Sequence, residues 1–176
     1  LSYFIEANSK IVNHANVYKL ADGVFNCALT NDSNVSITSL FLSNNDSLGQ
    51  SSSIFKNKKN VSPDSSITTL GVPANSFFRG FKKHIDQIEL DYSVILRLNC
   101  EGVEDDVIYA VHEVFKEKLK LILGSLKDVK EIKGESAYIK LQKYIKDNLI
   151  SFTFFSSSVN SWEKAHRAIL NVDNKH

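Results

Sequence analysis

The sequence predicts an α+β fold, an antiparallel sheet packed by three to four helices. Two patterns predict it. β-type runs fill residues 1–42 and recur near 88–98 and 149–155, while apolar residues at helical spacing occupy 103–126, 135–148 and the stretch after Asn160. Strands come first and then mix with helices, the order expected of a sheet covered on one side. With 176 residues, 43% hydrophobic and 23% charged, the chain reads as one domain spanning 1–176, able to bury a core without metals or disulfides.

The N-terminal meander begins with SYFIEA, which alternates loosely. In NVYKLADGVFNCALT two β-type runs flank Asp22-Gly23, a dipeptide suited to a type I′ turn with positive φ at both residues, so a hairpin is expected. Beyond it Phe25, Cys27 and Leu29 share one face. NDSN at 31–34 is a second turn and VSITSLFL at 35–42 a third strand. Residues 43–69 are polar, rich in Ser and Asn, and hold Gly49 and Pro63; they read as a long loop, a mobile segment or a functional insertion. Its FKNKKN segment puts Lys56, Lys58 and Lys59 on an exposed tip.

In FFRGFKKH and its continuation, Phe77, Phe78, Phe81, Ile85 and Ile88 form one helical stripe, with Arg79, Lys82 and Lys83 outside it. Asn75 or Ser76 would cap this helix, and Gly80 costs it ~1 kcal/mol relative to Ala. The tripeptide Arg79-Gly80-Phe81 resembles the start of the aromatic strand of the RNA-recognition motif. Lys82, Lys83 and Asp86 stand where that motif continues with a small residue and aromatics, so the resemblance stops at three residues.

IELDYSVILRL at 88–98 alternates cleanly, with Ile88, Leu90, Tyr92, Val94, Leu96 and Leu98 on one face, and is read as a strand. Residues 103–126 are read as the longest helix, with Val107, Ile108, Val111, Phe115, Leu119, Ile122 and Leu126 in register and Gly124 near its stop. Glu104, Asp105 and Asp106 in its first turn, with Lys116, Lys118 and Lys120 toward its end, complement the helix dipole. On the next helix, Tyr138, Leu141 and Ile145 face inward, and Lys140, Lys143 and Lys146 recur every third residue on the other side. LISFTFF at 149–155 is a strand with Ile150, Phe152 and Phe154 inward. A last helix runs from near Asn160 to about Leu170, with Glu163 as a capping-box residue.

A net charge of +1 argues neither for nor against an acidic partner. No apolar run reaches the ~18 residues that span a bilayer, and no leader is visible. The chain starts at Leu1 and holds no methionine, which reads as a fragment or a processed chain. Cys27 and Cys100 lack metal-ligand spacing and read as free thiols of a reducing, cytoplasmic protein, with a single disulfide in an exported protein as the alternative. Asn-x-Ser sequons begin at Asn31, Asn34, Asn45 and Asn60; two or three would arise by chance in a chain so rich in both residues, and glycosylation is the alternative reading. His14, His84, His112, His166 and His176 lie in unrelated contexts, and no phosphate-binding, dinucleotide or nucleophile-elbow motif occurs, so no cofactor, metal site or catalytic residue is assigned. The expected function is a non-catalytic interaction module, a domain or subunit of a larger assembly with a protein partner. The alternative is a nucleic-acid-associated protein that holds phosphates with Lys56, Lys58, Lys59, Arg79, Lys82, Lys83, Lys140 and Lys143. A third reading is a Mg²⁺-dependent hydrolase or nuclease built on the acidic run from Glu101 to Glu113.

Overall fold

The computed structural model of the chain describes residues 1–44, 47–89, 91–155 and 159–173; Asn45, Leu90 and His176, cited above, lie outside them. Among the described residues the fold is α+β with six α-helices and three small sheets, none of them a purely antiparallel meander.

The first correction concerns the N-terminal meander. β1 (Tyr3–Ile5) and β2 (Gly23–Phe25) run parallel, joined by α1 (Ser9–His14) and a 3-10 turn at Asn16–Leu20. Asp22 therefore does not form a hairpin tip; its carboxylate accepts the Ser2 N–H at 2.6 Å, and Gly23 starts β2. β3 (Ala28–Thr30) lies parallel to β5 (Val61–Pro73), and β4 (Ser36–Ser43) pairs with the other side of β5 antiparallel, in the order β3-β5-β4. Nine of the thirteen residues of β5, 61–69, thus replace the last part of the expected 43–69 loop. The strand hid in a Ser/Thr-rich sequence because much of it faces water, leaving little apolar alternation to read.

β5 leads through Pro73 directly into α2 (Ala74–Ile88), the helix of the phenylalanine stripe. Phe78 and Ile85 are buried, while Phe77 and Phe81 are half-buried against Phe25, with ring centroids 5.1 and 5.9 Å from it. α2 runs through Ile88, so only β6 (Val94–Arg97) remains of the strand expected at 88–98.

The C-terminal half is a small parallel sheet. β6, β7 (Leu119–Gly124) and β8 (Phe152–Phe154) lie in that order. α3 (Glu104–Phe115) crosses from β6 to β7. α4 (Lys127–Lys133) and α5 (Glu135–Asp147) cross from β7 to β8, and α6 (Val159–Asp173) follows. The helix expected over 103–126 is thus a helix and then a strand. Lys116, at φ 47° and ψ −120°, ends α3. β7 reads as helical because it is covered on both faces. Ile122 joins the main core with Val107, Ile108, Val111 and Phe115, and Leu121 and Leu123 pack with Phe155 and Ala165 under α6. Burial on both sides yields a continuous apolar run, and periodicity alone does not separate that from a helix. Gly124 lets β6 approach, since a Cβ there would lie 2.8 Å from Leu98 Cβ. No helix among the described residues is long and apolar enough to cross a membrane.

Candidate functional site

In parallel α/β units, ligands gather beyond the carboxyl ends of the strands, where strands give way to helix N-termini. Here the chain leaves β6 through Cys100, Glu101 and Gly102, the last two at φ 57° and φ 123°, and enters α3 with Glu104, Asp105 and Asp106. The segment ahead of β5 folds onto this end. Ser53 Oγ donates to the Glu101 carbonyl at 2.6 Å. Lys58 Nζ ion-pairs with the Glu101 carboxylate, donates to the Ser51 carbonyl at 3.2 Å, and lies 3.7 Å from Asp128 Oδ1 on α4. Lys133 Nζ bonds Asp105 at 2.5 Å and Asp106 at 2.6 Å.

Glu104 is 2% exposed. Burial, reinforced by the charges of Asp128 and Asp105, pushes its carboxyl up to about 7, although it accepts the Gly102 N–H at 2.9 Å. Burial likewise lowers the pKa of Lys58 against the pull of its acidic neighbours. The cluster has the perturbed groups of a catalytic site, but Glu101, Asp105 and Asp106 are met by two lysines, Glu104 is buried on the Gly102 N–H, and the Lys58 side chain is only 6% exposed. Among the described residues no three His, Cys, Asp or Glu side chains gather as metal ligands. The arrangement is a clamp that ties the 47–60 segment to the starts of α3 and α4.

The cations named from the sequence stand on three separate elements. Lys56 and Lys59 are exposed ahead of β5, whereas Lys58 turns inward, which corrects the reading of all three as a solvated tip. On α2, Arg79 bonds Glu113 at 2.6 Å and Lys82 bonds Asp86 at 2.6 Å, while Lys83 is exposed. On α5, Lys140 is exposed and Lys143 bonds Asp147 at 2.6 Å. His112 hydrogen-bonds the Tyr144 hydroxyl at 2.8 Å between α3 and α5, a structural contact. Cys27 and Cys100 are free thiols, pushed by burial up to about 11 and about 12.

Sequence reasoning missed an open groove of about 750 Å³ between α4, α5 and β8. Tyr138, Ile145 and Phe152 lie along it; Leu149 and Phe154 stand at its mouth, 91% and 59% exposed; Lys127, Lys130 and Lys146 rim it, and among the described residues no carboxylate lines it. Lys127 and Lys130 reach Glu131 and Glu135 outside the groove, at 3.4 and 2.7 Å; among the described residues Lys146 has no ion-pair partner.

The C-terminus of α5 holds Leu149 outward. Its N–H donates to the Lys146 carbonyl at 3.1 Å, and the Ile150 N–H to the Ile145 carbonyl at 3.0 Å. These are the bonds of a helix stop whose left-handed residue is usually Gly. Leu149 occupies that position at φ 53°.

β8 is the outer strand of its sheet. The Ile122 N–H donates to the Ser151 carbonyl and the Phe155 N–H to the Gly124 carbonyl, both at 2.8 Å, and Thr153 pairs with Leu123. Residues 151, 153 and 155 therefore turn their backbone groups toward β7, and alternation directs those of Phe152 and Phe154 to the open side. The signal available in the sequence was a helix ending in Asp147-Asn148-Leu149 without glycine, followed at once by an aromatic strand. No protein-family model matches this chain, and neither a curated protein nor a solved structure matches it.

Proposed function

We propose that the chain is a non-catalytic interaction module, a domain or subunit of a larger assembly, that engages a protein partner through the groove along β8. One observation carries the reading: Leu149 and Phe154, both large and exposed, stand beside a sheet edge that no strand covers among the described residues. Apolar surface rimmed by polar groups marks interaction sites, and interface centres favour aromatic residues over carboxylates. The left-handed backbone at Leu149 points the same way, since strain persists where a side chain is held out for use.

Two further features support a binding role. Glu101, Asp105 and Asp106 of the clamp are matched by Lys58 and Lys133, and Glu104 is 2% exposed, which leaves little of the cluster open to a substrate. The phosphate-binding alternative is weaker because Lys58, Arg79, Lys82 and Lys143 each hold a carboxylate that a phosphate would have to displace. Free, protonated thiols at Cys27 and Cys100 suit a reducing compartment such as the cytoplasm.

The experiment is affinity capture from the native host with the wild-type chain and a Leu149→Ser, Phe154→Ser double variant, both treated with nuclease and matched in melting temperature. The expected result is a discrete protein recovered with the wild type and lost with the double variant. Equal recovery with both chains overturns the reading.

A further inference from the structure

The reading of this groove as a protein-docking surface leaves open what enters it. Resting on that reading, we infer that the occupant is an extended, acidic segment of the partner, which adds to the open edge of β8 as a fourth strand of the parallel sheet.

The edge supplies the first argument. The amides and carbonyls of Phe152 and Phe154 point away from β7 and offer a short ladder for an incoming strand. The rings of the same two residues line the groove, so backbone pairing and side-chain contact occur together. A strand laid along β8 directs every second side chain toward Tyr138, Ile145 and the two phenylalanines. A helix in the same groove would leave the backbone edge unused.

Charge supplies the second argument. Among the described residues no carboxylate lines the groove and Lys146 on its rim has no ion-pair partner, while Lys127 and Lys130 already hold Glu131 and Glu135, so an acidic segment is matched through Lys146. A second copy of this chain, pairing β8 with β8 about a two-fold axis, would bring the lysine rims of the two copies together, an arrangement that like charges oppose. β8 has three residues, and only two present outward backbone groups, so the ladder is short and the side chains must supply much of the selectivity.

The experiment uses the full chain, ¹⁵N-labelled, and three probes: an end-capped peptide of alternating Glu and Val, its counterpart with Lys for Glu, and a mixed single-stranded oligonucleotide. Amide shifts and hydrogen exchange at Phe152 and Phe154 are followed, with Lys146→Glu as the charge variant. The Glu/Val peptide is expected to slow exchange at both amides and to bind about threefold more tightly than the Lys peptide, as one exposed ion pair at Lys146 allows. Lys146→Glu should reduce that preference without altering the unbound spectrum elsewhere. Strand addition is overturned by a peptide that leaves both amides unprotected, by the oligonucleotide binding here in its place, or by the chain alone protecting these amides as its concentration rises. If Leu149 and Phe154 still govern partner capture while both amides stay unprotected, the docking reading stands and the strand-addition inference falls. If capture also ignores them, both fall.

Discussion

Replacing Leu149 with glycine separates its backbone role from its side-chain role. The residue ends α5 at φ 53° with its side chain 91% exposed. A left-handed backbone costs an L-residue roughly 1–2 kcal/mol that Gly does not bear. The greater freedom of Gly in the unfolded chain offsets about 0.5–1 kcal/mol of that gain. Little hydrophobic burial is at stake, because the side chain already lies in water. Leu149→Gly is therefore expected to leave the chain between neutral and about 1.5 kcal/mol more stable. Leu149→Ala keeps the backbone conformation and should stay within about 0.5 kcal/mol of wild type. Urea titrations of the three proteins measure this, and both variants should lose partner capture. A Leu149→Gly chain clearly less stable than Leu149→Ala would refute the assignment of strain to this position.

Other parts of the structure are open to equally direct measurement. Folded Glu104 holds its proton up to about pH 7, whereas the unfolded chain releases it near 4.5, so the folded state binds the extra proton between those values and stability falls as pH rises through them. Glu104→Gln removes this term, and the stability of the variant relative to wild type should rise by about 2–3 kcal/mol from pH 5 to pH 8; parallel profiles in urea would count against it. Lys58→Met leaves the Glu101 and Asp128 carboxylates without their shared ammonium and should cost about 3–5 kcal/mol. A loss below about 1 kcal/mol in the same titration would mean that another group neutralises them. Gly80→Ala meets no atom within 4 Å of the new Cβ inside α2 and should stabilise the chain by about 0.5–1 kcal/mol, read from the thermal melt; a lower melting temperature would contradict the open surface at that position.

What the sequence made legible follows from which signals are local. The phenylalanine stripe of α2 and the faces of α5 each depend on one segment, and both match the buried residues Phe78, Ile85 and Leu141. Strand partners are not local. Whether Val94–Arg97 runs parallel to Leu119–Gly124 depends on α3 crossing between them, and apolar cover on both faces of β7 erased its period of two. The wet faces of β5 erased its apolar signal in the opposite way. For the site, the lysine positions were readable but their partners were not. Lys58 became buried because Glu101 and Asp128, distant in sequence, converge on it. The β8 groove was hidden for the same reason, since Lys127, Tyr138 and Phe152 belong to three different elements.

The most direct measurement of the central claim is photo-crosslinking in the native host, with a benzophenone amino acid in place of Phe154 or, as a control, of Ile37, which is 74% exposed on β4 of another sheet. The account predicts a discrete protein adduct from position 154, reduced by adding Lys146→Glu, and none from position 37. The same adducts from both positions, or none from 154, would contradict it.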